Sequence, residues 1–556
     1  MLPPTAGILY VTMHPTPALP IEQFQDWYNN EHGPTRLRLP FFTNGFRYRA
    51  KGIPQGGSED VPEWMAIYDI TDMDTLAQEP YLRLRDPPVK SQREIDTMSQ
   101  IKVVRKLFDF VESRESKDFK KLERVGCEGD GNVIVAVFLN LYPGADKKAE
   151  LDKWYRQEHI EMLSKVPGWL RTRRYVTSSV DSRSAVEYLA LHEYSPENGI
   201  GGPEFKAAIS TEWAEEVMTK VVKHKKRSDY DLYYTFGPAP RHLAPNLSSW
   251  ELSDPESSKT RTIPVSAGGA GAIESWVTTS DGVELPYRLE GSPDPQAPLI
   301  LLHNAILVTY GIWDDFITQF FSRPENKKYR VVRFHTRGRS SQFGTKPVTV
   351  DLLASDVIAI LDALRVKKAA AVIGVSLGGA TVLNTALKYP ERVGAFISCD
   401  TSSKSPAGNE KAWGERIAVA EKESASSSSG ELIVGEQLAE MTTRRWFVKE
   451  NYDGGTMETR FAEVKDMVAT NSLAGFKKSV EALFDYDLMT EMKSSKVRGA
   501  FLVGDSDGIL PGTMKEMAKA YGEKGAEFKV INGAGHLPMV ERPREFADFV
   551  TKFLGQ

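Results

Sequence analysis

Ser376 sits at the centre of Gly374-Val375-Ser376-Leu377-Gly378, a G-x-S-x-G pattern. The apolar run over residues 369–373 reads as a short buried strand, and residues 379–388 read as a helix. Strand, sharp turn and helix are the setting a nucleophilic serine requires. The strained turn pushes Oγ out beyond the strand, and only glycines tolerate the crowding around it. The hydroxyl becomes a nucleophile once a base takes its proton and an acid orients that base. Both partners can be found downstream. Residues 500–503 read as a strand leading into Gly504-Asp505-Ser506-Asp507-Gly508, and residues 528–531 as another leading into Asn532-Gly533-Ala534-Gly535-His536. His536 is the candidate base. Asp507 is the favoured acid, because a carboxylate a few residues past a strand end can fold back under the histidine. Asp505, which reads as a turn residue bonded to its own backbone, and Asp400, which closes a strand over 394–399, stay open as alternatives. An oxyanion would be held by the N–H of Leu377 and by one N–H from the loop after the strand at 298–302, where Ala305 is the candidate. His303 reads as a structural residue of that loop.

The order Ser, Asp, His along the chain is that of α/β-hydrolases. The supporting elements are legible around it. Residues 273–277 and 283–289 form an opening β-hairpin across Asp281-Gly282. Between about 402 and 496 the alternation of strand and helix gives way to polar helical pattern, which predicts a lid carrying a flexible serine-rich loop at 424–429. A cover of this kind excludes water from an acyl-transfer site.

Several stretches of this half resemble the corresponding segments of 3-oxoadipate enol-lactonases. They are Asn304, Trp313 and Asp314 in HNAILVTYGIWDDF, the run YRVVRFHTRG from Tyr329, Trp413-Gly414-Glu415-Arg416-Ile417, Arg445-Trp446-Phe447, Ala474-Gly475-Phe476, and Asp487-Leu488. The resemblance covers roughly the last half of the chain and extends into the lid. It departs from the family at His335, where an acidic residue is usual, and at His303 and Ala305 around Asn304. It implies a cofactor-independent serine hydrolase acting on an ester-type bond, most naturally a lactone or enol-lactone of a small organic acid or secondary metabolite. Asn304, Trp413, Arg445 and Trp446 are then candidates for contact with the substrate. A serine at 376 argues against dehalogenase or epoxide-hydrolase chemistry, which uses aspartate there. Carbon–carbon bond hydrolysis of a β-diketone-like substrate remains open.

At 556 residues the chain is too long for one ordinary domain. A net charge of −5 gives no argument for nucleic acid, and the basic run at 220–227 reads as a solvated helix face. Two cysteines, Cys127 and Cys399, exclude a disulfide scaffold and leave no thiolate metal site. With no membrane-length apolar stretch and no signal peptide, a cytoplasmic protein with a small-molecule substrate is expected; self-association stays open.

The front half is a duplication. Phe24-x-x-Trp27-Tyr28-x-x-Glu31-His32 recurs as Leu151-x-x-Trp154-Tyr155-x-x-Glu158-His159, and the strands around each copy correspond. Each copy reads β-α-β-β-α with a further strand, the ferredoxin-like order. The shared W-Y-x-x-E-H helix resembles EthD-like dimeric α/β-barrel domains, which implies an α+β tandem pseudo-dimeric barrel ahead of the lidded α/β hydrolase. The expected boundaries are 1–120 and 121–240 for the repeats, 241–272 for a Pro/Ser/Gly-rich linker, and 273–556 for the hydrolase. On an ordinary α-helix Tyr28 and His32 share a face while Trp27 points elsewhere. Tyr28, His32, Tyr155 and His159 are therefore candidates for a second site. The front half reads equally as an isomerase, cyclase or decarboxylase and as a non-catalytic binding or dimerisation module.

Overall fold

The computed structural model describes every residue except 1–2, 54–56, 58–61, 121–130, 182–184, 245–246, 248, 253–259 and 270. Cys127 lies outside the described residues, and Cys399 is a buried free thiol. The chain divides into two compact units, Met1–Pro240 and Arg241–Gln556.

In the front unit, β1 (Gly7–Pro15), β2 (Phe42–Ala50), β3 (Trp64–Ile70) and β4 (Ile101–Glu115) form one antiparallel set in the order β4-β1-β3-β2. The second copy repeats this with β5 (Val133–Leu141), β6 (Trp169–Thr177), β7 (Tyr188–Tyr194) and β8 (Val222–Thr235) in the order β8-β5-β7-β6. Pairing of β2 with β8 and of β4 with β6 closes the eight strands into a barrel. Strand alternation then sorts the side chains. Ile8, Tyr10, Phe46, Tyr48, Phe138 and Leu191 fill the inside, while Leu9, Val11, Trp64 and Tyr68 face outward under the helices of their repeat. The basic run at 220–227 falls largely within β8, so it is an exposed strand segment rather than a helix face. Tyr230, Leu232 and Tyr234 further along form the buried part of that strand, which extends back through the lysines.

Closure gives an expected result. A fragment of residues 1–240 folds as a monomer, whereas one of residues 1–120 self-associates, because β2 and β4 lose their pairing partners and the inner apolar face is uncovered. Size-exclusion chromatography with light scattering on both fragments decides it.

The rear unit is built on a ten-stranded sheet: β9 (Trp250–Leu252), β10 (Thr260–Ile263), β11 (Ala272–Thr278), β12 (Glu284–Gly291), β13 (Leu299–His303), β14 (Arg330–Phe334), β15 (Ala371–Val375), β16 (Ala395–Cys399), β17 (Arg498–Gly504) and β18 (Glu527–Ile531). Its order is β18-β17-β16-β15-β13-β14-β12-β11-β10-β9. The expected hairpin is β11–β12. The expected linker is corrected here. Residues 241–272 contain β9 and β10, which extend the sheet antiparallel from β11, and Thr260 and Thr262 are buried there. Its Pro, Ser and Gly content hid two strands too short to show an apolar period. β13 to β18 pair in parallel, and all but the edge strand β18 are buried on both faces, as their near-continuous apolar sequences require. Helices from Asn409 to Ser494 are inserted between β16 and β17. The serine-rich segment is a tight turn in which Ser426 bridges Leu432 and Ser427 N–H donates to Glu431 O.

Behind β14, Arg337 is fully buried, donating to both oxygens of Asp356 at 2.8 and 2.7 Å and to both of Asp281 at 2.9 and 3.1 Å. Replacing Arg337 with methionine strands a buried Asp356 carboxylate and is expected to cost about 3–5 kcal/mol, read from urea denaturation of the full chain. Among the described residues no helix is long and apolar enough to cross a membrane.

Candidate active site

Parallel pairing puts the C-terminal ends of β13, β15, β16, β17 and β18 on one edge of the sheet, and every candidate residue of the rear half follows one of those ends. β15 runs directly into the helix Leu377–Lys388, two residues earlier than expected, with Ser376 between them. Ser376 has φ 59° and ψ −121°, a conformation that costs a non-glycine residue of order 1–3 kcal/mol. The glycines make this turn possible. A Cβ on Gly374 would lie 2.2 Å from Gly378 O, and one on Gly378 would lie 2.5 Å from the carbonyls of His303 and Asn304. Ser376 N–H donates to Cys399 O at 2.9 Å, pinning the turn to β16. From 371 to 386 every residue is buried except Ser376, which is half-exposed.

His536 Nδ1 lies 2.7 Å from Asp507 Oδ2, so the favoured acid and base are brought together. Burial by itself raises the Asp507 carboxyl, but the charge of His536 and its hydrogen bond pull it below the usual carboxylate range. Asp505 Oδ1 accepts from Gly533 N–H at 3.0 Å across to the histidine loop and from the Ser506 hydroxyl of its own turn at 2.8 Å. Ser376 Oγ makes no hydrogen bond to a described residue in this structure. Contacts of this kind tighten when substrate binds.

Asp400 is fully buried with φ 45°, and its Oδ1 accepts from Gly504 N–H at 2.9 Å. Its Oδ2 is buried with no acceptor or donor bonded to it. Burial first, and the neighbouring Asp507 charge second, push its pKa well above the carboxylate range. It is therefore a neutral acid packed against Asp507.

The loop after β13 packs on the serine turn. Ala305 and Leu377 are buried, and among the described residues neither backbone N–H finds an acceptor. Two free amides beside the nucleophile are the arrangement an oxyanion needs. Asn304 must be corrected. Its Nδ2 donates to Phe334 O at 2.7 Å, its Oδ1 accepts from Trp313 Nε1 at 2.9 Å, and it is fully buried, so it locks the loop and is not open to a ligand. His335, the departure from the enol-lactonase pattern, stacks on Tyr310 with ring centres 4.4 Å apart, and burial lowers its pKa to about 4.

The inserted helices reach His536 directly. Trp446 stacks on the His536 ring at 5.6 Å and 23°, and His536 N–H donates to Trp446 O at 2.7 Å. Arg445 precedes it, exposed, with no ion pair or hydrogen bond to a described residue. Partial burial, then the Arg416 charge, lower its pKa to about 10. Trp413 packs in the core against Phe476, and the Arg416 guanidinium lies 4.6 Å over its ring. Trp446 and Arg445 thus border the site, while Trp413 supports it from behind.

Glu541 was not found from sequence, where nothing distinguishes it from a surface helix acid. It is buried and accepts from Gly535 N–H at 2.6 Å, Val448 N–H at 2.8 Å and Asn451 Nδ2 at 2.7 Å. One carboxylate stitches the histidine loop to the inserted helices. Glu541→Ala leaves these buried donors unpaired, and about 1–3 kcal/mol per lost partner is expected in urea denaturation.

The four candidates of the front half fall into two unequal places. Tyr28–His32 and Tyr155–His159 are each a π-helical turn, with the amide of the next residue bonded to the first tyrosine's carbonyl. This overturns the expectation that Trp27 points away. An i to i+5 turn stacks Trp27 on His32 at 4.7 Å and Trp154 on His159 at 4.1 Å. In the first copy Tyr28 and His32 are packed shut. His32 Nδ1 lies 3.1 Å from Glu94, Tyr28 is stacked on Phe236, and the buried Arg47 sits 4.4 Å over the Tyr28 ring. In the second copy Tyr155 and His159 line a cavity.

Residues 299–549 match the model of the alpha/beta hydrolase family. The rear unit has the α/β-hydrolase fold. The hydrolase half is similar to 3-oxoadipate enol-lactonase 1 of Acinetobacter baylyi (strain ATCC 33305 / BD413 / ADP1), 24% identical over 50% of this chain and 96% of that protein. Over 115 residues it is 39% identical to the rhodomycin D methylesterase DauP of Streptomyces sp. (strain C5), covering 20% of this chain and 37% of that one. Among solved structures, the enol-lactonase from Burkholderia xenovorans LB400 is 25% identical, covering 51% of this chain and 100% of its own, with a TM-score of 0.44.

Proposed function

We propose that the hydrolase half cleaves an ester-type bond, most specifically that of a lactone or enol-lactone, through Ser376, His536 and Asp507. One observation carries this reading: a half-exposed serine strained to φ 59° stands on the sheet edge that also holds a histidine–carboxylate pair 2.7 Å apart. Ser376 Oγ attacks the carbonyl carbon as His536 Nε2 takes its proton, while the Leu377 and Ala305 amides receive the oxyanion. Collapse expels the alkoxide or enolate, which His536 protonates. Water activated by the same imidazole then hydrolyses the acyl-serine and restores the enzyme. The scheme calls for neither metal nor organic cofactor. The unpaired Arg445 beside Trp446 favours a substrate bearing an anionic group, and the named lactonases and methylesterase to which this half is similar support ester chemistry. For the front half, the repeated βαββαβ order and the 4-1-3-2 strand arrangement support a ferredoxin-like, EthD-like pseudo-dimer.

The test is a panel of small lactones, enol-lactones and simple esters, some carrying a carboxylate, with product identification. Opening of a lactone without carbon–carbon cleavage is expected. Turnover of β-diketones alone overturns the ester reading.

A further inference from the structure

The two copies in the front barrel differ in one respect that bears on binding. In the first, the chain leaving β8 donates Phe236 N–H to Gly45 O at 2.7 Å and lays the Phe236 ring against Tyr28 and Tyr68. In the second, the strand pairing sets Arg114 of β4 at the position of Phe236, opposite Thr172 of β6, and Arg114 pairs with Glu161 and brings no ring. Tyr68, whose hydroxyl meets that of Tyr28 at 3.1 Å, is replaced by His192, which faces Tyr155. A cavity of about 70 Å³ lies in the second copy beside Tyr155, His159 and His192.

The hydrogen bonds behind this cavity set its chemistry. His159 Nδ1 lies 3.1 Å from Ala208 O. A carbonyl only accepts, so Nδ1 carries the proton and Nε2 presents a lone pair. Trp169 Nε1–H donates to Thr172 Oγ1 at 3.1 Å, and Thr172 Oγ1 lies 3.0 Å from His192 Nδ1. The buried hydroxyl proton of Thr172 has no other acceptor, so it goes to Nδ1, and His192 Nε2 carries a hydrogen. Neither Nε2 has a partner among the described residues. Burial keeps both rings neutral, lowering His159 to about 3 and His192 well below its usual value. One fixed acceptor and one fixed donor thus stand on rings 6.0 Å apart. The Tyr194 hydroxyl on the same wall is buried and unpartnered. Val135, Val137 and Met218 supply apolar wall, and the exposed Lys225 lines the cavity without an ion pair among the described residues.

We propose that this cavity binds a small hydroxy or enolic carboxylic acid. A single hydroxyl oxygen donates to His159 Nε2 and accepts from His192 Nε2–H, the carbon chain lies on the valines, and the carboxylate meets Lys225 at the mouth. The enclosed volume is about half that of a cavity that holds benzene, so it admits a short chain and not a fused ring system. Opening a lactone adds water across the ring C–O bond and releases an acid of this class. That link alone rests on the proposed function; the site does not.

The test is isothermal titration calorimetry on the full chain carrying Ser376→Ala, with 3-hydroxybutyrate and with butyrate. Saturable binding of 3-hydroxybutyrate at one site is expected, with butyrate at least tenfold weaker. Lys225→Met, at an exposed position that leaves the fold intact, should weaken 3-hydroxybutyrate about tenfold, and His159→Phe should abolish it. Binding indifferent to Lys225→Met belongs to the hydrolase half and overturns the proposal. So does equal binding of the two acids, or no binding. None of these outcomes depends on whether Ser376 is a nucleophile.

Discussion

The Ser376→Ala protein is expected to lose labelling by a fluorophosphonate probe completely and to turn over its substrate about 10⁴ to 10⁶-fold more slowly. The expectation follows from the geometry of one residue. Ser376 is the half-exposed point on an otherwise buried strand-to-helix run, and its strained backbone is retained only because Gly374 and Gly378 leave no Cβ in the way. Alanine keeps the fold and removes the nucleophile. The wild-type protein should take up a single label, located at Ser376 by peptide mass spectrometry. Full activity in the variant would remove the basis for hydrolysis by this half.

Asp507→Asn is expected to lower turnover by about 10⁴, because the amide stabilises the wrong imidazole tautomer and gives the imidazolium no counter-charge. Asp400→Asn should be far milder. Burial and the Asp507 charge favour the neutral form of Asp400, and an amide still accepts from Gly504 N–H without changing that charge. The pH profile separates the two states. Replacing a neutral acid with an amide removes no charge, so the acidic limb of kcat/KM stays in place. Removing an ionised carboxylate would displace that limb. A dead Asp400→Asn variant with a near-normal Asp507→Asn variant would put the acid on β16 instead of β17.

Local pattern carried much of this protein. The alternation of short apolar runs with helices, the glycines around Ser376, the glycine-rich loops after β17 and β18, and the 127-residue spacing of the W-Y-x-x-E-H motif all report backbone requirements that neighbouring residues satisfy. They picked out Ser376, His536 and the duplication, because sharp turns and strand ends constrain composition within a few positions. The choice among Asp400, Asp505 and Asp507 was different. All three follow apolar strands, and only the folded sheet shows Asp507 against His536, Asp505 on a loop amide and Asp400 buried behind them. The same holds for Asn304, whose side chain is consumed by Trp313 and Phe334, and for Glu541, which joins segments about 90 residues apart. The π-turns were hidden because helical periodicity assumes one spacing, and a turn wider by one residue brings Trp27 onto His32. Likewise, the motif shared by the two repeats gave no sign that Tyr28 stacks on Phe236 while Tyr155 lines a cavity. Phe236 and its counterpart Arg114 lie outside the motif and are brought to it only when the barrel closes, because distant burial and hydrogen bonding are set by tertiary contacts that no local pattern records.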